Sequence, residues 1–508
     1  MRFPRRGADG RTAHRGRRGR RARWVVNARG TDYTPRGAVR GAGSSERKTL
    51  RIARHAVRLH RDTPLTWNHR LPMHLLGTQH INDAGHLEIG GVDTVALARE
   101  FGTPLYVMDE EAFRRKAREY LRAFRSRYPD VQISFAGKAF LCTGFCKLVE
   151  QEGLCLDVAS GGELHTALLA GFPAERISLH GNNKSVAELE MALEARVGHI
   201  VVDNFYELDL LLEITRGRVQ PQPVLLRVAP GIDPHTHRRI STGQVDTKFG
   251  FDVGSGAAWA AIRKAAEIPG IAVKGLHCHV GSQLLDTECH EASVGIMADL
   301  LAQAKQELGM EFSELNVGGG LGIRYLRHHE PPTIDEFAET VTGVLKSRLD
   351  DHGLRYPTLL QEPGRSLVGE AGTTLYSIGS IKEIPGLRTY VSVDGGLSDN
   401  PRPALYEARY EVVVANRMDE PHDRVVTISG KHCETDVLFP DAMITDPRPG
   451  DLLAVLSTGA YNYAMASNYN RFRRPAVVLV NDGRADLLVR RETYDDLVRS
   501  DVMPARLA

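Results

Sequence analysis

The sequence predicts an α/β chain: a (β/α)8 TIM-type barrel joined to a second, mostly-β domain of barrel or sandwich type, preceded by a disordered basic tail. Three observations carry this reading. From about residue 82, short β-branched runs alternate with longer stretches of helical periodicity, the signature of repeated βα units around a parallel sheet. Eight strand cores fall between residues 131 and 362, close to the roughly 250 residues a barrel of this kind occupies. After Arg365 the strand-like runs continue but the long helical patterns stop.

Taken in order, a strand-like segment His86–Ile89 and a helix Thr94–Phe101 precede the extended run Pro104–Met108. Asp109 is placed to cap a helix that carries Phe113, Ala117, Tyr120, Leu121 and Phe124 on one face. The barrel strands are expected at Val131–Ala136, Leu154–Val158, Ile177–His180, Ile200–Asp203, Val224–Val228, Val273–His279, Leu315–Val317 and Thr358–Glu362. The β domain is expected from Thr389–Val393, Tyr410–Val414, Val425–Ile428, Leu452–Val455 and Ala476–Val480. The expected domains are therefore 1–72, a disordered Arg-rich extension; 73–104, a segment pairing with the β domain; 105–365, the barrel; and 366–508, the β domain.

Composition sets outer bounds. With 42% apolar residues and 65 Lys+Arg against 63 Asp+Glu in 508 residues, collagen, coiled-coil and wholly disordered classes are excluded. Six cysteines (Cys142, Cys146, Cys155, Cys278, Cys289, Cys433) are too sparse for a disulfide scaffold and lack zinc-ribbon spacing. No run approaches the roughly 18 apolar residues of a membrane span, and no apolar segment follows the first Arg cluster as in a signal peptide. The expected compartment is the cytoplasm, with no membrane partner. The near-neutral total hides an asymmetry: residues 1–70 hold 20 Lys+Arg against four Asp+Glu, and the remainder 45 against 59. Such a tail suits RNA, an acidic surface or a transit role. The plainer reading is an upstream extension of the reading frame, since the next methionine after Met1 is Met73.

In a barrel, reactive groups collect at the C-terminal ends of the strands. Lys138 follows the first strand, His180 ends the third, Asp203 the fourth, Arg227 lies in the fifth, His277 and His279 end the sixth, Gly318–Gly320 follow the seventh and Glu362 ends the eighth. Singly, a lysine in such a place is ordinarily a solvated loop residue and a histidine a hydrogen-bonded part of the scaffold. Together they fit one cofactor. A three-glycine turn lets backbone amides approach a phosphate, a desolvated lysine can form a Schiff base with an aldehyde, and an acid can hold a pyridinium proton. That combination suits pyridoxal 5'-phosphate. Gly-Gly-Gly-Leu-Gly is not a dinucleotide fingerprint, because no acid follows at βαβ spacing. His235, His237, His277 and His279 alternate at strand spacing without a recognisable set of acidic ligands, and no metal is expected.

Six ordered segments carry a resemblance: Phe135-Ala-Gly-Lys-Ala-Phe140, Leu156-Asp-Val-Ala-Ser-Gly-Gly-Glu-Leu164, His180-Gly-Asn-Asn-Lys184, Gly275-Leu-His-Cys-His-Val-Gly-Ser-Gln283, Asn316-Val-Gly-Gly-Gly320 and Glu362-Pro-Gly-Arg365. Over residues 82–495 the chain resembles the fold-type III pyridoxal-phosphate decarboxylases, with their alanine-racemase-like barrel. Three later segments, Asp394–Tyr406, Gly430–Asp436 and Thr458–Tyr461, are similar to the branch acting on diaminopimelate. The resemblance implies decarboxylation of meso-2,6-diaminopimelate to L-lysine and carbon dioxide, the last step of lysine biosynthesis. It implies Lys138 as the cofactor lysine, His279 stacked on the ring and Glu362 at the ring nitrogen. Ser282, Gly318, Gly319 and Gly320 would hold the phosphate, with Pro363, Gly364, Arg365 and Tyr461 alongside. Arg365, Arg402, Tyr406, Glu434 and Tyr461 would grip substrate, and Cys433 would act as general acid. By the same resemblance Cys433 and Glu434 come from a second subunit, so a homodimer is expected. The substrate carries a distal ammonium and carboxylate, which fixed Arg and Glu side chains can distinguish from ornithine. Decarboxylation of ornithine, arginine or D-lysine on the same scaffold, or an inactive regulatory homologue, are the alternatives. One departure stands out: many members carry Asn where this chain has Phe140.

Overall fold

The computed structural model describes residues 74–232 and 247–508. The expected basic tail, His235 and His237 lie outside them.

Eight parallel strands close into a barrel: Val131–Ala136, Cys155–Val158, Ile177–Leu179, His199–Val202, Gln222–Ala229, Ile271–His277, Glu314–Asn316 and Thr358–Gln361. All eight fall on the expected cores. The eighth pairs back onto the first, with Leu359 opposite Val131, which completes the ring. Most of the core lies between the strands and the surrounding helices. Within the ring, Val201, Leu225 and Leu360 form a small separate cluster. Above it the strand ends turn polar, with Asp157, His277, Asn316 and Gln361 all buried. Helix starts are written into the sequence: Ser185 with Glu188 and Thr333 with Glu336 each form a reciprocal capping box.

Asp109 does cap the helix Glu110–Arg125, accepting a hydrogen bond from the Ala112 amide at 3.0 Å. Its other oxygen accepts from the Thr78 amide at 2.7 Å and the Thr78 hydroxyl at 2.8 Å, tying the early segment to the helix start.

The second domain is a mostly antiparallel sheet built around Gly372–Ile384, a 13-residue strand. The boundary expected at residue 105 needs correction, because the strand Leu105–Asp109 lies in this sheet, antiparallel to Gly372–Ile384 and parallel to Ala476–Asn481. The barrel begins only after it. Residues 80–93 form a small three-stranded antiparallel sheet. Leu87, Ile89 and Leu97 from this region share a core with Val107, Leu375, Val413, Leu452 and Val478 of the large sheet. Among the described residues, no helix is long and apolar enough to cross a membrane.

Candidate active site

A cavity of about 990 Å³ lies where the C-terminal ends of the barrel strands meet the β domain. The barrel contributes Lys138, Asp157, His180, Arg227, His277, His279, Ser282, Glu362 and Arg365 to its wall; the β domain contributes Arg402, Tyr406 and Tyr461. Lys138 sits in the single 3-10 turn that follows the first strand. A smaller recess is lined by Lys138, His279, Ser282, Gly320, Glu362, Gly364 and Tyr461.

Glu362 is the electrostatic centre. Its Oε1 accepts from Asn316 Nδ2 at 2.6 Å, and its Oε2 lies 3.0 Å from His277 Nε2. His180 Nε2 stands 3.2 Å from Oε1 without hydrogen-bond geometry, and 3.8 Å from Asp157 Oδ1. Burial alone would raise the Glu362 pKa, but His277 and His180 together hold it well below the ordinary carboxylate range. The two histidines move apart. Burial pulls His180 down, but the charges of Glu362 and then Asp157 outweigh it and lift it to about 9. Burial wins at His277, which falls to about 4 despite Glu362, with His180 and Arg227 adding repulsion. Asp157 is pushed up, by burial first and by Glu362 second. His180, His277 and Glu362 also bring one ligating atom each within 4.8 Å of the others, a grouping accounted for by this charge network.

His279 is held well below its usual pKa, by burial first and then by the charge of Lys138, so its ring is neutral. Its Nδ1 accepts from the Gly319 amide at 3.3 Å. The glycine run is enforced sterically: a Cβ on Gly318 would stand 2.4 Å from the Cys278 carbonyl oxygen, and one on Gly319 2.2 Å from that of Glu362. The Gly318 amide is satisfied by Asn316 Oδ1, whereas the Gly320 amide has no acceptor among the described residues. Pro363 accepts the Ala136 amide at 3.1 Å, and Gly364 precedes the short helix Arg365–Val368. Tyr461, at φ +61°, donates its amide to Ala139 at 2.8 Å.

Arg365 and Arg402 are each about 8% exposed. Arg365 donates to Ser282 Oγ, at 3.1 Å from Nη2, and to the Tyr325 hydroxyl; Arg402 donates from Nε to the Tyr410 hydroxyl at 2.7 Å. Among the described residues neither has a carboxylate partner. Tyr406 lies on the cavity wall with much of its ring exposed, and the Arg402 guanidinium lies 5.6 Å from its centroid.

Cys433 and Glu434 are not brought to this cavity by their own chain. Cys433 is exposed, its amide donating to Asn470 Oδ1 at 2.9 Å, and Glu434 accepts from the Tyr469 hydroxyl. Phe140 is buried against Phe145 and Tyr463, with ring centroids 5.0 and 5.8 Å away, so its position is an apolar one. Lys184 is anchored by Glu207 at 2.7 Å and by the carbonyls of Gly181 and Val201, which fastens the turn that follows His180. Asp157 and Tyr325 line the cavity without having been singled out from the sequence. A lone acid inside the apolar run Leu154–Val158 was a usable signal; Tyr325, in a loop after the seventh strand, gave none.

The glycine cradle with an unpaired amide, the lysine and the buried anionic Glu362 are a donor set that fits a phosphorylated pyridine aldehyde. The chain belongs to the pyridoxal-dependent decarboxylase family: the family profile described as "Pyridoxal-dependent decarboxylase, pyridoxal binding domain" matches residues 113–369. Its cofactor is accordingly pyridoxal phosphate. Within the family, the chain is 50% identical over 431 residues to a Bacillus subtilis protein named diaminopimelate decarboxylase, covering 85% of this chain and 98% of that one. It is 44% identical over 437 residues to one of the same name from Synechocystis, covering 84% and 92%. A crystal structure of diaminopimelate decarboxylase from M. jannaschii in complex with L-lysine superposes with a TM-score of 0.81 at 37% identity, covering 86% of this chain and all of that one.

Proposed function

We propose that the protein decarboxylates meso-2,6-diaminopimelate to L-lysine and carbon dioxide as a homodimer with shared active sites. The observation that carries the substrate choice is the pair of buried guanidiniums, Arg365 and Arg402, on the same cavity wall as Lys138 and Glu362 and without a carboxylate partner among the described residues. A buried cation without a counter-charge is costly. A substrate whose far end carries a carboxylate removes that cost, and ornithine and arginine have no second carboxylate to offer.

Bound in the cavity, pyridoxal phosphate supplies a pyridinium that accepts the electron pair left on Cα when carbon dioxide departs. Lys138 would supply the amine that holds the cofactor's aldehyde in the cavity. Glu362, kept anionic by His277 and His180, holds the proton on the ring nitrogen. His279, kept neutral, offers a flat uncharged face to the ring. Ser282, the Gly320 amide and Tyr461, which line one small recess beside Lys138, would hold the phosphate. Tyr406 closes the substrate end beside Arg402. Cys433, exposed and away from its own cavity, delivers the proton to Cα in the second subunit's site, where Glu434 meets the distal ammonium. The neighbourhood of Phe140 touches none of these groups polarly, which fits its departure from the usual Asn.

The test is parallel incubation of the full chain with pyridoxal phosphate and meso-diaminopimelate, L-ornithine, L-arginine or D-lysine, following carbon dioxide and amine products. Lysine from diaminopimelate alone is expected; turnover of another amino acid in its place overturns the substrate, and no turnover by cofactor-loaded protein overturns the activity. Lys138→Ala is expected to abolish both turnover and the visible absorbance of lysine-tethered cofactor.

A further inference from the structure

Arg365 and Arg402 come from different parts of the fold. Arg365 opens a short helix at the end of the barrel, and Arg402 opens one in the β domain. Two buried cations facing one cavity repel each other, so their separation must be imposed by something rigid. Two tyrosines occupy that place.

Tyr325, 6% exposed, follows the seventh barrel strand and lies on the cavity wall. Its hydroxyl accepts from Arg365 Nη1, and the guanidinium carbons of Arg365 and Arg402 lie 5.6 and 5.7 Å from its ring centroid. Tyr410, 4% exposed, belongs to the β domain and packs edge-on against Tyr325, with centroids 5.1 Å apart at 84°. Its hydroxyl accepts from Arg402 Nε at 2.7 Å and donates to Asn462 Oδ1 at 3.3 Å. The result is a continuous bridge, Arg365–Tyr325–Tyr410–Arg402, running from barrel to β domain. A ring face attracts a desolvated cation, and a phenol hydroxyl can orient a guanidinium without neutralising it, as a carboxylate would.

The geometry points to Tyr325 as a specificity-determining residue. With Tyr410 it fixes the spacing and direction of the two guanidiniums while leaving their charge available for one carboxylate at the far end of the ligand. Direct pairing of either arginine with an acidic side chain would fill the subsite from within. A bridge made only of phenols keeps it cationic. This rests on the substrate reading above and adds the device that enforces it.

The test uses a matched pair of ligands. L-Lysine and 1,5-diaminopentane differ only by the carboxylate, so the ratio of their inhibition constants against the cofactor-loaded enzyme reads the subsite alone. Wild type is expected to favour lysine. Tyr325→Phe, which keeps the ring and loses the acceptor, is expected to cut that preference by about tenfold, the size of one hydrogen bond to a charged group. Tyr325→Leu, which loses both, is expected to cut it further, with the KM for diaminopimelate rising more than kcat falls. Tyr410→Phe, which leaves Tyr325 intact, is expected to shift the ratio in the same direction, and it serves if Tyr325→Leu does not fold. A ratio unchanged in Tyr325→Phe and Tyr410→Phe overturns the proposal, as does an equal weakening of both ligands, which would mark a merely structural role. If wild type converts no diaminopimelate, the substrate reading itself has failed, and that is visible before any variant is made.

Discussion

His180 and His277 flank the same carboxylate and titrate in opposite directions, because only His180 has a second acid, Asp157, beside it. The consequence for the cofactor-free protein has a definite sign. At His180 the folded-state pKa, about 9, lies above the unfolded value near 6.5, so its contribution is complete below about pH 6.5 and is lost as pH rises through 9. At His277 the folded value, about 4, lies below the unfolded one, so its contribution is present above about pH 6.5 and is lost as pH falls through 4. His180→Gln is therefore expected to flatten the alkaline limb of stability between about pH 6.5 and 9, a change on the order of 3 kcal/mol. Thermal unfolding across pH checks this, and an alkaline limb as steep as wild type would refute it. At this scale Lys138, His279, Glu362, Arg365 and Arg402 were legible because each ends a strand or sits in a recognisable segment. Asp157 is marked in the sequence only as a lone acid in an apolar run, and Tyr325 matters only through whom it meets, which a linear pattern does not state.

Among the elements, the glycine turn after the seventh strand is held open by its neighbours' backbone. A methyl on Gly319 would stand 2.2 Å from the Glu362 carbonyl oxygen, and the strand ends cannot part without moving Glu362 itself. Gly319→Ala is expected to cost about 1–3 kcal/mol and to weaken cofactor binding. Gly343→Ala, in the interior of the helix Ile334–Asp351 with nothing within 4 Å of the new methyl, is expected to stabilise by about 0.5–1 kcal/mol. Thermal unfolding and cofactor titration of the two variants compare them directly; equal effects would show that the turn is not sterically constrained. The barrel strands were readable since βα alternation repeats eight times and burial on both faces demands β-branched runs. The 13-residue strand Gly372–Ile384 was not, because Gly379 breaks its apolar pattern. The pairing with Arg388–Val393 shifts register between Ile378 and Ile381, a β-bulge in which that glycine sits. Leu105–Asp109 was readable as a strand but not as a member of the distant sheet, since its pairing with Gly372–Ile384 and Ala476–Asn481, far along the chain, is set by packing.

For the whole molecule, the decisive fact is that each chain carries Lys138, Glu362 and both guanidiniums at one cavity and Cys433 away from it. If Cys433 acts in the site of a second copy, neither Lys138→Ala nor Cys433→Ala chains alone can turn over substrate at the normal rate, yet their defects are complementary. In a random two-chain mixture half the dimers are mixed. Each mixed dimer has one site lacking both groups and one site with both intact. Mixing the two inactive variants in equal amounts, with exchange of subunits, should therefore restore about a quarter of wild-type activity, and a large excess of either variant should bring it back towards zero. The measurement is activity against mixing ratio, with heterodimer formation checked by two different affinity tags. A flat line at the sum of the separate activities, with mixed dimers present, would place the proton donor within the same chain and require Cys433 to reach its own cavity.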